Sequence, residues 1–266
     1  RFHRRQHPRR RFLLRPRMKL IRSKPVKTLL AVLFWLALWQ LLSAAVGSAL
    51  LLPAPLAVVQ RLFELMGTAE FWYTVLLSLL RISAGIVSAL VLGVITAVLT
   101  SRFALLDALL SPVISVIKTT PVASFVILVL IWLRRDYVPV LISALMVFPV
   151  VWSNVSAGIK NTERSFLELA RVYDFSFIKT VRSIYFPSVL PYFRSACSSA
   201  LGFGWKAGIA AEVLTVPGVS IGRMIYESKL YLQTTDLFAW TLCVILLSFL
   251  LEKLVLRLIS GGGKNA

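Results

Sequence analysis

The sequence predicts an all-α membrane protein with six transmembrane helices and both termini on the cytoplasmic side. Three observations carry that expectation: the apolar composition, the length of the uncharged runs, and the side on which the basic residues fall. Of 266 residues, 58% are hydrophobic, and mean hydropathy is +0.81. A water-soluble domain of this size would lack the polar surface to clothe such a composition. The formal net charge is +19. Six crossings place 22 of the 30 Lys and Arg on one side and 5 on the other, with Arg81, Arg194 and Lys206 within or at the ends of spans. Loops facing the cytoplasm are enriched in Lys and Arg, so the populated side, which holds both termini, is the inner one. That bias, with contact to anionic lipid, accounts for the basic balance without nucleic acid.

A crossing helix needs about 20 apolar residues. Leu29–Leu52 is uncharged and qualifies, with Pro53-Ala54-Pro55 expected to end it because proline lacks the amide donor. The outer segment up to Glu70 holds a short amphipathic helix, 57–66. Phe71–Thr100 is the second span and opens on Phe71-Trp72-Tyr73, an interfacial aromatic anchor. The third is expected to begin near Pro112 and to end at Leu133, with Lys118 snorkelling to the cytoplasmic headgroups. Arg134-Arg135-Asp136 forms an outer turn whose two arginines run against the charge bias. Tyr137–Ile159, 192–214 and 235–258 complete the set. Residues 1–27 read as a basic cytoplasmic tail, 28–258 as the membrane domain with a cytoplasmic loop at 160–190, and 259–266 as a C-terminal tail. Residues 1–17 are either native or upstream of a start at Met18. Without them the net charge falls to +11 and the topology survives. The first apolar run is longer than a signal-peptide core of roughly 7–15 residues and reads as a retained helix.

Ala89, Gly93 and Ala97 recur four apart in the second span, as do Gly204 and Gly208 in the fifth. In lipid, small residues at this spacing let helix backbones approach closely. Cys197 and Cys243 lie in apolar segments and read as packing thiols; His3 and His7 lie in the basic tail. No convergent His, Asp or Ser cluster sits at membrane depth, so an enzyme is not indicated. The chain also lacks the Gly-x-x-x-x-Gly-Lys-[Ser/Thr] loop that cradles nucleotide phosphates.

Three ionisable residues fall inside spans: Arg81, Lys206 and Glu212. A charge at the bilayer centre costs at least ~2.5 kcal/mol, so such groups pair or face water. Glu212 is expected to neutralise Arg81 or Lys206 and to hold the fifth span against the second. The alternative is a spare cation lining a pathway and attracting an anion.

Between the fourth and fifth spans, Phe166, Leu167, Ala170, Tyr173 and Phe177 recur at helical spacing among charged residues and predict an amphipathic helix pair over Glu163–Thr180. The segment reads Glu168-Leu169-Ala170, three residues, Asp174, nine residues, then Ile184-Tyr185-Phe186-Pro187. It resembles the Glu-Ala-Ala loop of the permease subunits of binding-protein-dependent ABC importers, whose pattern is Glu-Ala-Ala, three residues, Gly, nine residues, Ile, any residue, Leu, Pro. Glu168, Ala170, Ile184 and Pro187 match; Leu169, Asp174 and Phe186 depart. Asp enters the left-handed region more readily than most residues, so the turn can survive without glycine. The stretches from Ser111-Pro112 to Trp132 and from Gly204-Trp205-Lys206 to Glu212 are similar to the sulfonate, taurine and nitrate branch.

The resemblance implies a type I importer permease bundle in the inner membrane of a prokaryote. Two permease copies, homo- or heterodimeric, would form the path for a small solute. Separate ABC ATPase subunits would hydrolyse the ATP, this chain binding no cofactor, and an extracytoplasmic substrate-binding protein would deliver the cargo. Coupling to the ATPase would fall to Glu168, Ala170, Arg171, Asp174, Ile184 and Pro187. A stand-alone secondary transporter or channel is the alternative. It would need no ATPase and is often built from repeated halves, which this sequence does not display.

Overall fold

A computed structural model describes residues 24–261, so the basic tail through residue 23 and the last five residues lie outside it. The described residues form eleven α-helices and one π-helical turn, and no strand occurs among them. They divide into two compact units, the first ending at Pro55 and the second beginning at Leu56.

In the first unit, α1 (Lys24–Val46) stops six residues short of the expected end. Gly47 terminates it: at φ 65 it takes the left-handed conformation, and its N–H bonds the Ser43 carbonyl at 3.1 Å. The chain then folds back. Trp39 Nε1 donates to the Pro53 carbonyl (3.1 Å) and Ser43 Oγ to the Leu52 carbonyl (2.9 Å), satisfying backbone groups that an extended apolar run would have left open.

The second unit is built on three long helices: α3 (Ala69–Arg102), α6 (Val138–Lys160) and α9 (Phe186–Thr215). Thr68 caps α3 by accepting the Phe71 N–H at 3.3 Å. Helix α6 packs along both α3 and α9. The small residues make this approach work. Ala89 and Ala97 are fully buried, and a Cβ on Gly93 would meet Val151 Cβ at 2.8 Å. On Gly208 it would lie 2.5 Å from Ser143 Oγ and 2.7 Å from Ile82 Cγ1. Polar bonds tie the same faces: Ser143 Oγ donates to the Gly204 carbonyl (3.1 Å) and Trp152 Nε1 to Thr100 Oγ1 (3.0 Å). Helix α11 (Thr234–Gly261) joins through Trp205 Nε1, which donates to the Val244 carbonyl at 3.2 Å.

The expected third span is corrected. Helix α4 (Ala104–Thr119) begins well before the expected start of that span, and Pro112 lies inside it instead of opening a span. The helix breaks at Thr120-Pro121, and α5 (Val122–Val129) leaves at 106°. Proline forces this break: it offers no N–H and drives the preceding residue out of helical geometry, so Thr120 sits at ψ 131. Lys118 lies 5.8 Å from the Trp152 ring, against α6.

Four helices (α1, α3, α6 and α11) are long and apolar enough to cross a membrane, and the bent α4–α5 pair makes a fifth if counted as one. Helix α9 has the length, 30 residues or ~45 Å, but carries Arg194, Lys206 and Glu212. One end of this unit holds α7 (Arg164–Val172) and α8 (Phe177–Thr180). The opposite end holds α2 (Pro55–Met66), the 130–137 turn and α10 (Ile221–Leu230). There Arg61 grips Asp236 at 2.6 and 2.9 Å and Glu64 at 2.9 Å; the Asp236 bonds lead in raising its pKa further.

Candidate functional site

Two groups of residues carry chemistry, one at each end of the second unit. At the α7 end, the nine-residue helix touches the bundle mainly through Ala170, which is 4% exposed, and half-buried Leu167. Phe166, Leu169, Val172 and Tyr173 are exposed, as are Phe177 and Ile178 beyond the turn. Glu168 and Arg171 are also exposed. This helix therefore buries one small residue and presents apolar side chains, flanked by charges, away from its own fold.

The spacing from Ala170 to Asp174 has a structural cause. Phe175 N–H bonds the Ala170 carbonyl at 2.8 Å, and Asp174 N–H bonds the Arg171 carbonyl at 3.2 Å. That is the double bond of a Schellman cap, which needs a left-handed residue between the two donors' partners and the outgoing chain. Asp174 supplies it at φ 48. The chain then enters α8, capped by Ser176 Oγ accepting the Lys179 N–H at 3.4 Å.

From α8 the helix continues through a π turn, Val181–Tyr185, directly into α9. Phe186 N–H reaches back five residues to the Val181 carbonyl. The next residue, Pro187, would leave the Ser183 carbonyl unpaired and clash with it in a regular helix; widening the preceding turn relieves that clash. Ile184 is buried at 8% exposure inside the widened turn, while Pro187 is exposed. The six loop residues thus fall into two groups: Ala170 and Ile184 face inward, and Glu168, Arg171, Asp174 and Pro187 face outward.

At the other end, Glu212 is fully buried and Arg81 is 13% exposed. Arg81 Nη1 donates to Glu212 Oε1 at 2.8 Å. Glu212 Oε2 accepts from Ser78 Oγ (2.8 Å) and from the Gly222 N–H (3.2 Å), and Ser78 Oγ in turn accepts the Ile221 N–H at 2.9 Å. The carboxylate therefore caps the first turn of α10 while binding α3 to α9. Gly222 is required here, because a Cβ would meet Glu212 Cβ at 2.3 Å. Asp136 adds a second anion 3.8 Å from Arg81 and accepts the Gly218 N–H at 3.3 Å.

Of the two cations that sequence reasoning offered to Glu212, the structure brings Arg81 to it. Lys206 is exposed and makes no ion pair among the described residues. It shares its exposed face of α9 with Ser195, Ser199, Phe203 and Ala210, a stripe of serines and alanine broken by one aromatic side chain. Sequence reasoning missed Ser78, Asp136 and Gly222. Ser78 and Asp136 join the cluster across long separations (134 residues for Ser78–Glu212), which no local pattern marks, whereas Gly222 lies only 10 residues from Glu212.

A family profile described as binding-protein-dependent transport system inner membrane component matches residues 89–260. Three curated relatives are similar over most of both chains. A Bacillus subtilis permease named for aliphatic sulfonates transport is 27% identical over 82% of each chain. A nitrate import permease of Leptolyngbya laminosa is 28% identical over 87% of this chain and 85% of its own. The taurine transport system permease of Escherichia coli is 24% identical over 80% of each.

Proposed function

The chain belongs to the family of binding-protein-dependent transport system inner membrane components, and from that premise we propose that it is the membrane-spanning permease subunit of an ATP-driven importer. The family is one of transport permeases and not of enzymes. In this reading α1, α3, the bent α4–α5 pair, α6, α9 and α11 are six crossings, with both termini cytoplasmic in a prokaryotic plasma membrane. Residues 28–258 form the permease domain. Two such subunits line the path, ABC ATPase subunits dock from the cytoplasm, and a substrate-binding protein delivers the solute from outside.

The observation that carries the reading is α7: a short helix, locked by its cap, whose Phe166, Leu169, Val172 and Tyr173 have no cover among the described residues. An amphipathic helix with that much bare apolar side chain is built to seat in a groove of another protein. Movement there would pass into α9 through the π turn, since no loop interrupts the helix between Phe177 and Thr215.

Lys206 supports an anionic solute. An unpaired ammonium part-way along a membrane-crossing helix is tolerated where it meets water or cargo. The polar face of α9 is then the pathway wall. With relatives named for sulfonates, nitrate and taurine, the solute is a small compound bearing a sulfonate or similarly compact anion.

Co-purification tests the coupling. Wild-type protein should retain its ATPase through detergent extraction, and Glu168→Arg or removal of 166–177 should release it while the permease stays folded. A stand-alone transporter or channel would show no ATPase in either case.

A further inference from the structure

We propose that the arginine-walled cleft at the α10 end is a binding site for a small oxyanion, distinct from the Lys206 face. The cleft has a volume of about 680 Å³ and is lined by Arg134, Arg135, Asp136, Arg223, Glu227 and Val216 among others. That is ample for a compact organic acid. Its acids are already engaged. Asp136 accepts from the Gly218 N–H and lies 3.8 Å from Arg81, and Glu227 accepts from Arg223 Nε at 2.7 Å. Arg223 also donates to the Gly218 carbonyl, so its guanidinium is committed to holding the cleft wall.

Arg134 and Arg135 remain. Both side chains are exposed, and neither makes an ion pair or hydrogen bond among the described residues. A tight turn, closed by the Tyr137 N–H on the Arg134 carbonyl at 3.0 Å, places them side by side at the mouth. They are two of the five cations that fall on the sparsely charged side of the chain, at the end opposite the basic loops. Two adjacent guanidinium forks suit the planar or trigonal oxygens of a carboxylate, nitrate or sulfonate, which they can bind through paired N–H donors. Val216, in the wall, is held at φ 48, a conformation that a β-branched residue rarely adopts. This left-handed cap ends α9 and turns the chain at the cleft.

That this site faces the outside, where it would receive solute ahead of Lys206, rests on the permease reading; the binding itself does not. The test uses the full chain in lipid nanodiscs, titrated with sodium methanesulfonate and with sodium nitrate against chloride at constant ionic strength. Isothermal calorimetry reads the binding. Saturable binding that weakens at least tenfold in Arg134→Gln/Arg135→Gln, and not in Arg102→Gln/Lys253→Gln, is the expected result. No saturable binding by the wild type, or equal binding by the Arg134/Arg135 variant, overturns the proposal. ATPase capture in the same preparations reports separately on the permease reading, so either can fail while the other stands.

Discussion

Asp174 shows how much rests on one backbone angle. A left-handed conformation costs an L-residue about 1–2 kcal/mol, and an aspartate bears it better than most. Asp174→Gly should stabilise the α7 cap by about 1 kcal/mol, seen as slower amide exchange of Phe175 and Asp174. A β-branched Asp174→Val should speed the same exchange and weaken ATPase capture. The spacing of this loop was legible in the sequence, and so was the tolerance of Asp for the turn. The role of Ala170 was less so. It is the one buried residue of α7, and only the packed neighbours reveal that. Glu212 follows the same logic: its need for a cation was readable from its place in an apolar run, but Arg81 and Lys206 were equal candidates until the fold brought one of them within 2.8 Å.

Among the helices, α6 is the element whose packing leaves least slack, since glycines on both α3 and α9 meet it at distances that exclude a Cβ. Gly208→Ala should cost about 1–3 kcal/mol through overpacking against Ser143 and Ile82, lowering the melting temperature in detergent by light-scattering or fluorescence-detected unfolding. Gly202→Ala, with open space around it, should leave the temperature within error. The helices themselves were largely predictable where an uncharged run exceeded 20 residues. Failures cluster at prolines and glycines, where local geometry overrules hydropathy. Gly47 ends α1 early, Thr120-Pro121 breaks the third expected span, and Pro187 widens the turn that joins the loop to α9.

Across the whole molecule, the α7–α8 loop and the ion cluster sit at opposite ends of the second unit, and α9 runs from one to the other. A push on α7 would pass the Asp174 turn and reach the Lys206 face along the continuous helix from Phe177 to Thr215, whose C-terminal end Glu212 ties to α3 and α10. Lys206→Gln should therefore abolish uptake of an anion in reconstituted vesicles while leaving ATPase capture intact. Normal uptake at normal protein level would remove Lys206 from the pathway. What the chain itself determined is the class of protein and the place of its loop: hydropathy, charge bias and motif spacing are local quantities, read along the strand of residues in order. What only the tertiary structure decided is which charges are spent and which are spare. Pairing depends on distances between residues far apart in sequence, and in a medium that penalises every unpaired charge, those distances separate a structural ion from one left to meet a solute.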